Sequence, residues 1–302
     1  MKARAVSFLF CFAIGLCLAG PLAAQDTLPA GRVRGGLNLY EKFEGSSSPG
    51  GGTAFDMNTS LGYDFGSHLG ADVGVPVYFT TPPPASKLLA SQATGLGDAY
   101  LDLRFKIRNP LLDFTSMPSA SFPTGSVSKG FSTGQINFNW DNEVEHTFGR
   151  FTPFLDGDPG NGLNNITNPH TRVIRRSFVT IGNEVQFTGG SDVDLFGPFS
   201  VDVDAYDVTP WGPQEILSRI LKKGTVTVKG VKHNRYYAVN ALTKGGANLV
   251  RDNGYDAALD ATLKRFVLLE LGYDYSVHYA SGTVFFSAAF NVSQMFSHSL
   301  GR

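Results

Sequence analysis

The sequence predicts an all-β chain: a transmembrane, antiparallel, up-and-down β-barrel of about twelve strands, after a cleaved signal peptide. Three observations predict it. Apolar and polar residues alternate with a period of two along many segments of ten or so residues, the pattern of strands with two unlike faces. Among 302 residues there are 35 Gly, 24 Phe and 11 Tyr but only 17% charged residues, which suits pleated strands and tight turns. The connections between the alternating segments are short on one side and mostly long on the other, as transmembrane barrels have them.

The chain opens with Lys2 and Arg4, then an apolar run from Val6 to Leu18, which Gly20-Pro21 breaks ahead of Leu22-Ala23-Ala24. A basic, an apolar and a small-residue segment in that order read as a secretory signal peptide over 1–24. The run is too short for a membrane helix, and no later stretch reaches the ~20 apolar residues one needs. Both cysteines, Cys11 and Cys17, fall inside the leader. The mature chain, 25–302, therefore has none, and disulfides, thiolate catalysis and cysteine-based zinc sites drop out together. A net charge of −1 gives no electrostatic footing for nucleic acid.

The expected strands run 33–43, 53–64, 68–79, 97–107, 110–121, 133–145, 149–156, 172–187, 191–207, 255–263, 266–277 and 283–296. In the second, Phe55, Met57, Thr59, Leu61 and Tyr63 oppose Asp56, Asn58, Ser60 and Asp64. The third sets Leu69, Ala71, Val73, Val75, Val77 and Phe79 against His68 and Asp72. The fourth is the plainest: Ala99, Leu101, Leu103, Phe105 and Ile107 on one face, Asp98, Tyr100, Asp102, Arg104, Lys106 and Arg108 on the other. A helix would scatter those charges around every side. The fifth and seventh fit less well, because Pro118 and Pro153 cannot donate to a ladder. In the sixth, Ile136, Phe138, Trp140 and Val144 oppose Asn137, Asn139, Asp141, Glu143 and Glu145. In the eighth, Val179, Ile181, Val185 and Phe187 oppose Glu184 and Gln186, and in the ninth Val201, Val203 and Ala205 oppose Asp202, Asp204 and Tyr206. The last three pair Tyr255, Ala257 and Leu259 with Asp256 and Asp260, Leu269, Leu271 and Tyr273 with Glu270 and Asp274, and Phe286, Ala288 and Phe290 with Ser287 and Asn291.

A secreted β-sandwich also alternates, but its strands are shorter, its connections have no reason to alternate in length, and its interior is dry. Here the short connections are Gly66-Ser67, Asn109, Phe148, Gly189-Gly190 and Lys264-Arg265; the long ones are 44–52, 80–96, 122–132, 157–171 and above all 208–254, with 278–282 a short exception. Closure follows physically, since lipid offers no partner to the N–H and C=O groups of a sheet edge.

The polar face supplies the candidate functional residues. Asp98, Asp102, Arg104, Lys106, Glu143, Asp202, Asp204, Asp256, Asp260 and Asp274 are expected to line a lumen of mixed charge, together with Arg34 and Lys42. Within 208–254, Ile216, Leu217, Ile220 and Leu221 fall at helical spacing over 214–223, and Thr225–Val228 reads as extended. Lys222, Lys223, Lys229, Lys232 and Arg235 make that loop basic. It is either a solvated hairpin, a loop folded inward as a constriction against the acidic row, or a crown contacting outer-leaflet phosphates.

Catalysis finds no footing. The six histidines, His68, His146, His170, His233, His278 and His298, are scattered, and none stands four residues from another as a helical metal pair would. Asp156-Gly157-Asp158-Pro159-Gly160-Asn161 resembles a calcium loop, but Thr167 stands where the twelfth-position acid belongs, and turn chemistry explains the same residues. No cofactor, metal or enzymatic activity is expected.

Three short runs carry a resemblance: Gly95-Leu96-Gly97-Asp98, Phe122-Pro123-Thr124-Gly125, and Asn139-Trp140-Asp141-Asn142 with Phe148-Gly149-Arg150-Phe151-Thr152-Pro153-Phe154. Over roughly residues 30 to 296 the chain resembles the outer-membrane transporter family associated with the meta pathway of phenol degradation. The resemblance implies a monomeric barrel for small, often aromatic, compounds, with no catalytic residues to carry over. One departure stands out: such chains usually end on an aromatic, whereas six residues follow Phe296 here. The expectation is thus a bacterial outer-membrane channel for small solutes, passive or gated, embedded among phospholipid and lipopolysaccharide. The alternative is a non-conducting structural barrel that displays its outer loops.

Overall fold

The computed structural model describes residues 36–48, 52–81, 92–162, 178–218, 222–228, 231–237, 242–245, 247, 250–263, 266–278 and 280–300. Residues 1–35, which include the expected leader and Arg34, lie outside these. In chain order the strands are β1 (Gly36–Ser48), β2 (Gly52–Asp64), β3 (Leu69–Thr81), β4 (Ala93–Leu96), β5 (Ala99–Arg108), β6 (Asp113–Phe122), β7 (Asn137–Glu145), β8 (Phe151–Gly160), β9 (Phe178–Ile181), β10 (Glu184–Asp194), β11 (Phe199–Pro210), β12 (Gln214–Ser218), β13 (Lys222–Val228), β14 (Val231–Tyr237), β15 (Leu242–Gly245), β16 (Asp252–Leu263), β17 (Val267–Ser276) and β18 (Ser281–Asn291); the helix α1 (Val292–Leu300) follows.

Twelve of these strands close into one antiparallel barrel, β1-β2-β3-β5-β6-β7-β8-β10-β11-β16-β17-β18, with β18 returning to β1. Short β4 sits on the far end of β3 as a flap. Following the paired residues once around, from Tyr40 on β1 back to β1, accumulates an offset of about 16 residues. With strands ~4.8 Å apart, that stagger tilts them by ~40–45° and sets a backbone radius of about 12 Å.

The alternation read from the sequence is the alternation of faces. On β5, Tyr100, Asp102 and Arg104 are buried while Leu101, Leu103, Phe105 and Ile107 are exposed. The same inversion holds around the wall: Asn137 and Asp102 have 0% exposure, yet Phe138 has 59% and Leu155 63%. A soluble protein would hide those side chains. Here they form an outer belt that only hydrocarbon can satisfy. Phe290, Phe43, Phe55 and Phe79 touch in sequence across β18, β1, β2 and β3, and Tyr255, Tyr275 and Tyr273 do so across β16 and β17.

Both prolines are accommodated: Pro118 pairs with Trp140 and Pro153 with Ser191. Four readings are corrected. Gly189-Gly190 is not a turn but the middle of β10, and the hairpin closes later, at 195–198. A Cβ on Gly190 would lie 2.6 Å from that of Asp204, so glycine serves close strand approach there rather than chain reversal. The loop expected at 44–52 is largely ladder, with Glu44 opposite Asp56 and Ser48 opposite Gly52. Asp156 to Gly160 belongs to β8 and not to a loop, and within the expected helix over 214–223 the described residues, 214–218 and 222–223, are not helical but belong to β12 and β13. Short helices are marginal without packing. Gln214 instead anchors extended chain, donating to Asn183 O at 2.9 Å and Trp211 O at 3.0 Å.

The last strand also ends early. β18 stops at Asn291, whose Oδ1 accepts the Gln294 N–H at 3.0 Å and so caps α1. Ser293 Oγ accepts the Leu39 N–H at 2.8 Å, where β1 has run past the end of its neighbour. Phe296 is therefore a helix residue.

Candidate functional site

The inner face is where the polar residues converge, and its charge is segregated. Six consecutive wall strands, β7, β8, β10, β11, β16 and β17, point fifteen carboxylates inward and contain no Lys or Arg. The barrel's four strand cations, Lys42, Arg104, Lys106 and Arg108, all stand on β1 and β5. The expected mixed lumen is thus an acidic wall facing a wall of paired charges.

On the paired side, Arg104 is the hub. Its Nη2 donates to Asp64 Oδ1 at 2.7 Å and its Nη1 stands 3.3 Å from Asp72 Oδ2. Asn38 donates to the other Asp64 oxygen at 2.6 Å. Lys42 pairs with Glu44 at 3.2 Å, and the Tyr100 hydroxyl donates to Asn58 Oδ1 at 3.0 Å. Lys106 points inward from the same strand, half-buried.

On the acidic side, Asp204, Asp256 and Asp274 stand directly opposite one another across β11, β16 and β17, and Asp260 opposes Glu270. Asp202, on β11, completes a group with Asp204 and Asp256 whose ligand oxygens lie within 4.8 Å of one another. It is the one group among the described residues close enough for a single cation to bridge. Like charges directly opposite are destabilising. The six strands hold no positive side chain, so the compensating charge comes from elsewhere in the molecule, from ions or from protons. Glu143 faces Asp156 across β7 and β8.

Asp98 has a different employment. Its carboxylate accepts the Gly125 N–H at 3.1 Å and the Thr133 N–H at 3.3 Å, holding the 123–136 connection against the rim. Thr124 Oγ1 accepts the Ala99 N–H at 2.8 Å, and a Cβ on Gly125 would lie 2.8 Å from Leu96 O and from Gly97 C. Two of the short runs noted in the sequence, Gly95–Asp98 and Phe122–Gly125, thus clasp each other. Phe131 from the same connection stacks on Tyr78 at 5.6 Å.

Lys222, Lys223, Lys232 and Arg235 lie in the hairpin β13–β14, which pairs only with itself among the described strands; their side chains, and Lys229 altogether, fall outside the described residues. β12 and β15, in the same connection, form a small separate sheet with β9, which precedes β10 in the chain.

This architecture recurs among solved structures. An outer membrane channel from Pseudomonas putida F1 matches with a TM-score of 0.52 at 9% identity, over 87% of this chain and 98% of that one. The shared feature is the fold, a closed antiparallel barrel of the outer-membrane type. The NanC porin, at 8% identity and a TM-score of 0.48, covers 83% of this chain and 98% of its own; the KdgM porin in complex with disordered oligogalacturonate gives 8%, 0.45 and the same coverage. No family model and no curated protein matches the sequence.

Sequence reasoning missed the inward aromatics as a set. Tyr100, Tyr78, Tyr206 and Phe285 each lie over a glycine of an adjoining strand or of its extension, Gly74, Gly97, Gly254 and Gly272 respectively. A bare glycine lets the ring fold sideways along the wall rather than stand out from it. The signal was present, as a glycine on the polar parity of one strand and an aromatic on that of its neighbour, but only the register joins the two.

Proposed function

We propose that this barrel is a bacterial outer-membrane channel for small solutes, not an enzyme, working as a monomer among phospholipid and lipopolysaccharide. One observation carries it: the closed wall turns charged and amide side chains inward at a radius of about 12 Å, wider than the eight-stranded barrels whose side chains fill their own interior. The ten inward residues named above, from Asp98 to Asp274, are the lumen residues in this reading. Aromatic or hydrophobic compounds are the favoured solutes, supported by the resemblance and by the inward rings. The acidic wall disfavours anions among them.

The path is gated in this reading. Many of the inner carboxylates are shielded from water, Asp102 and Asp274 at 0% and 4% among them, while Asp204 and Glu143 are half-buried. From Arg219 to Arg251 the chain carries eight cations and no acid, so Lys222, Lys223, Lys229, Lys232 and Arg235 are the natural constriction against β11 and β16. The same shielding also favours the second reading, a non-conducting barrel that displays its outer loops.

Liposome swelling separates the two. Folded protein, verified by heat-shifted gel mobility, is compared for a small sugar, a neutral phenol and benzoate. Swelling with the sugar or the phenol, benzoate lagging, is the expected result. No swelling with any solute, before or after deletion of 219–241, removes the channel reading in favour of the structural one.

A further inference from the structure

The C-terminal helix points to a second contact with the membrane. We infer that α1 is an interfacial anchor, lying in the headgroup region of the leaflet at the short-turn end of the barrel, its occupant a phospholipid surface. The inference rests on the wall being embedded in a bilayer, as proposed above.

Three observations carry it. First, α1 begins where β18 stops by construction: Asn291 caps it, and Ser293 ties it to the Leu39 N–H of β1. The helix is thus fixed to the barrel's rim at the end where Gly36 and Asp64 pair. Second, Val292, Met295 and Phe296 fall at i, i+3 and i+4 and share one helix face, on which Met295 and Phe296 are exposed, the latter at 65%. Third, that rim is already the edge of the outer belt. Leu37 and Leu61 point outward beside it, and Tyr63 and Phe65 touch there with ring centroids 4.8 Å apart. An aromatic pair at a belt's edge marks the boundary between hydrocarbon and water. An exposed apolar face tied to this rim stands at the height where amphipathic helices bury their apolar residues.

The test uses tryptophan as a depth probe in the full-length protein in phospholipid vesicles. Trp140 and Trp211 are replaced by Phe, and Phe296→Trp is introduced; Leu61→Trp in the same background reports the belt. Phe296→Trp is expected to emit at shorter wavelength than tryptophan in water, to be quenched by lipids brominated near the headgroup, and to resist aqueous iodide. Adding Met295→Asp should restore iodide access. Iodide quenching of Phe296→Trp without lipid quenching, while Leu61→Trp is quenched by lipid, overturns the anchor and leaves the barrel reading intact. Failure of Leu61→Trp to meet lipid overturns the embedding itself. If the tryptophan set does not fold, Phe296→Cys with a bimane label gives the same readout once Cys11 and Cys17, the two cysteines of the sequence, are replaced by Ser.

Discussion

Replacing Arg104 with methionine keeps the aliphatic stem and removes the guanidinium from an enclosed ion cluster of the wall. Arg104 meets Asp64 at 2.7 Å and Asp72 at 3.3 Å, and the Asp72 side chain has no exposed surface. Without the cation, two carboxylates from neighbouring strands are left close together where water barely reaches. Removing one partner from a buried cluster of this kind costs ~3–5 kcal/mol, because the remaining charge is stranded rather than resolvated. A solvent-exposed pair would cost only ~0–1 kcal/mol. Urea titration of the protein folded in lipid vesicles, followed by tryptophan fluorescence, should therefore show a loss of ~3–5 kcal/mol for Arg104→Met. Adding Asp72→Asn to the same chain removes one stranded charge and should return a substantial part of that loss. A loss below ~1 kcal/mol for the single variant would refute the reasoning, since it would mean that the cluster behaves as an exposed one.

Four further outcomes follow from the wall. Leu101→Arg places a charge on the outer face and should cost ~2–4 kcal/mol in the same titration, whereas the native Arg104, three residues on and facing inward, is stabilising. Gly254→Val sets a Cβ 2.6 Å from the Tyr206 hydroxyl and closer still to Tyr275 O, so a loss of ~1–3 kcal/mol is expected; an unchanged unfolding midpoint would contradict the ring-over-glycine geometry. Asn291→Ala removes the α1 cap and should cost ~1 kcal/mol, read as faster hydrogen exchange at the Gln294 amide than in the native chain. In planar bilayers the acidic wall should make any conductance prefer cations, and changing Asp204, Asp256 and Asp274 together to Asn should shift the reversal potential toward zero; an anion-preferring native channel would count against the charge segregation.

Much of the wall was legible in the sequence, because the signal that builds it is local. Leu101, Leu103 and Phe105 against Asp102, Arg104 and Lys106 define two faces without reference to any other strand, and the number of such segments gives the strand count. Element ends were read less well. Gly189-Gly190 has turn composition, yet β10 runs through it because β8 and β11 pair with it on both sides. Residues 214–218 have helical spacing, yet β9 and β15 claim them as a strand. Asn291 ends β18 by turning from ladder residue into cap, a choice that its neighbours in sequence do not announce.

The candidate site divides along the same line. Inward placement of Asp102, Asp202, Asp204, Asp256, Asp260 and Asp274 follows from parity alone, since a pleated strand sends alternate side chains to opposite faces. Which carboxylates stand together does not. Asp204, Asp256 and Asp274 are 52 and 18 residues apart along the chain, and only the register of β11, β16 and β17 sets them in a row. Asp98 was read as a lumen residue by parity, but the fold of 123–136 gives its carboxylate two backbone N–H groups to hold. The sequence by itself therefore determined the strands, their two faces and the membrane as their solvent, because periodicity and hydrophobicity are properties of a segment. The tertiary structure alone decided register, and with it the acidic wall, the Arg104 cluster, the rings laid over glycines and the helix at the rim, because each of these is an encounter between residues that only closure of the barrel makes neighbours.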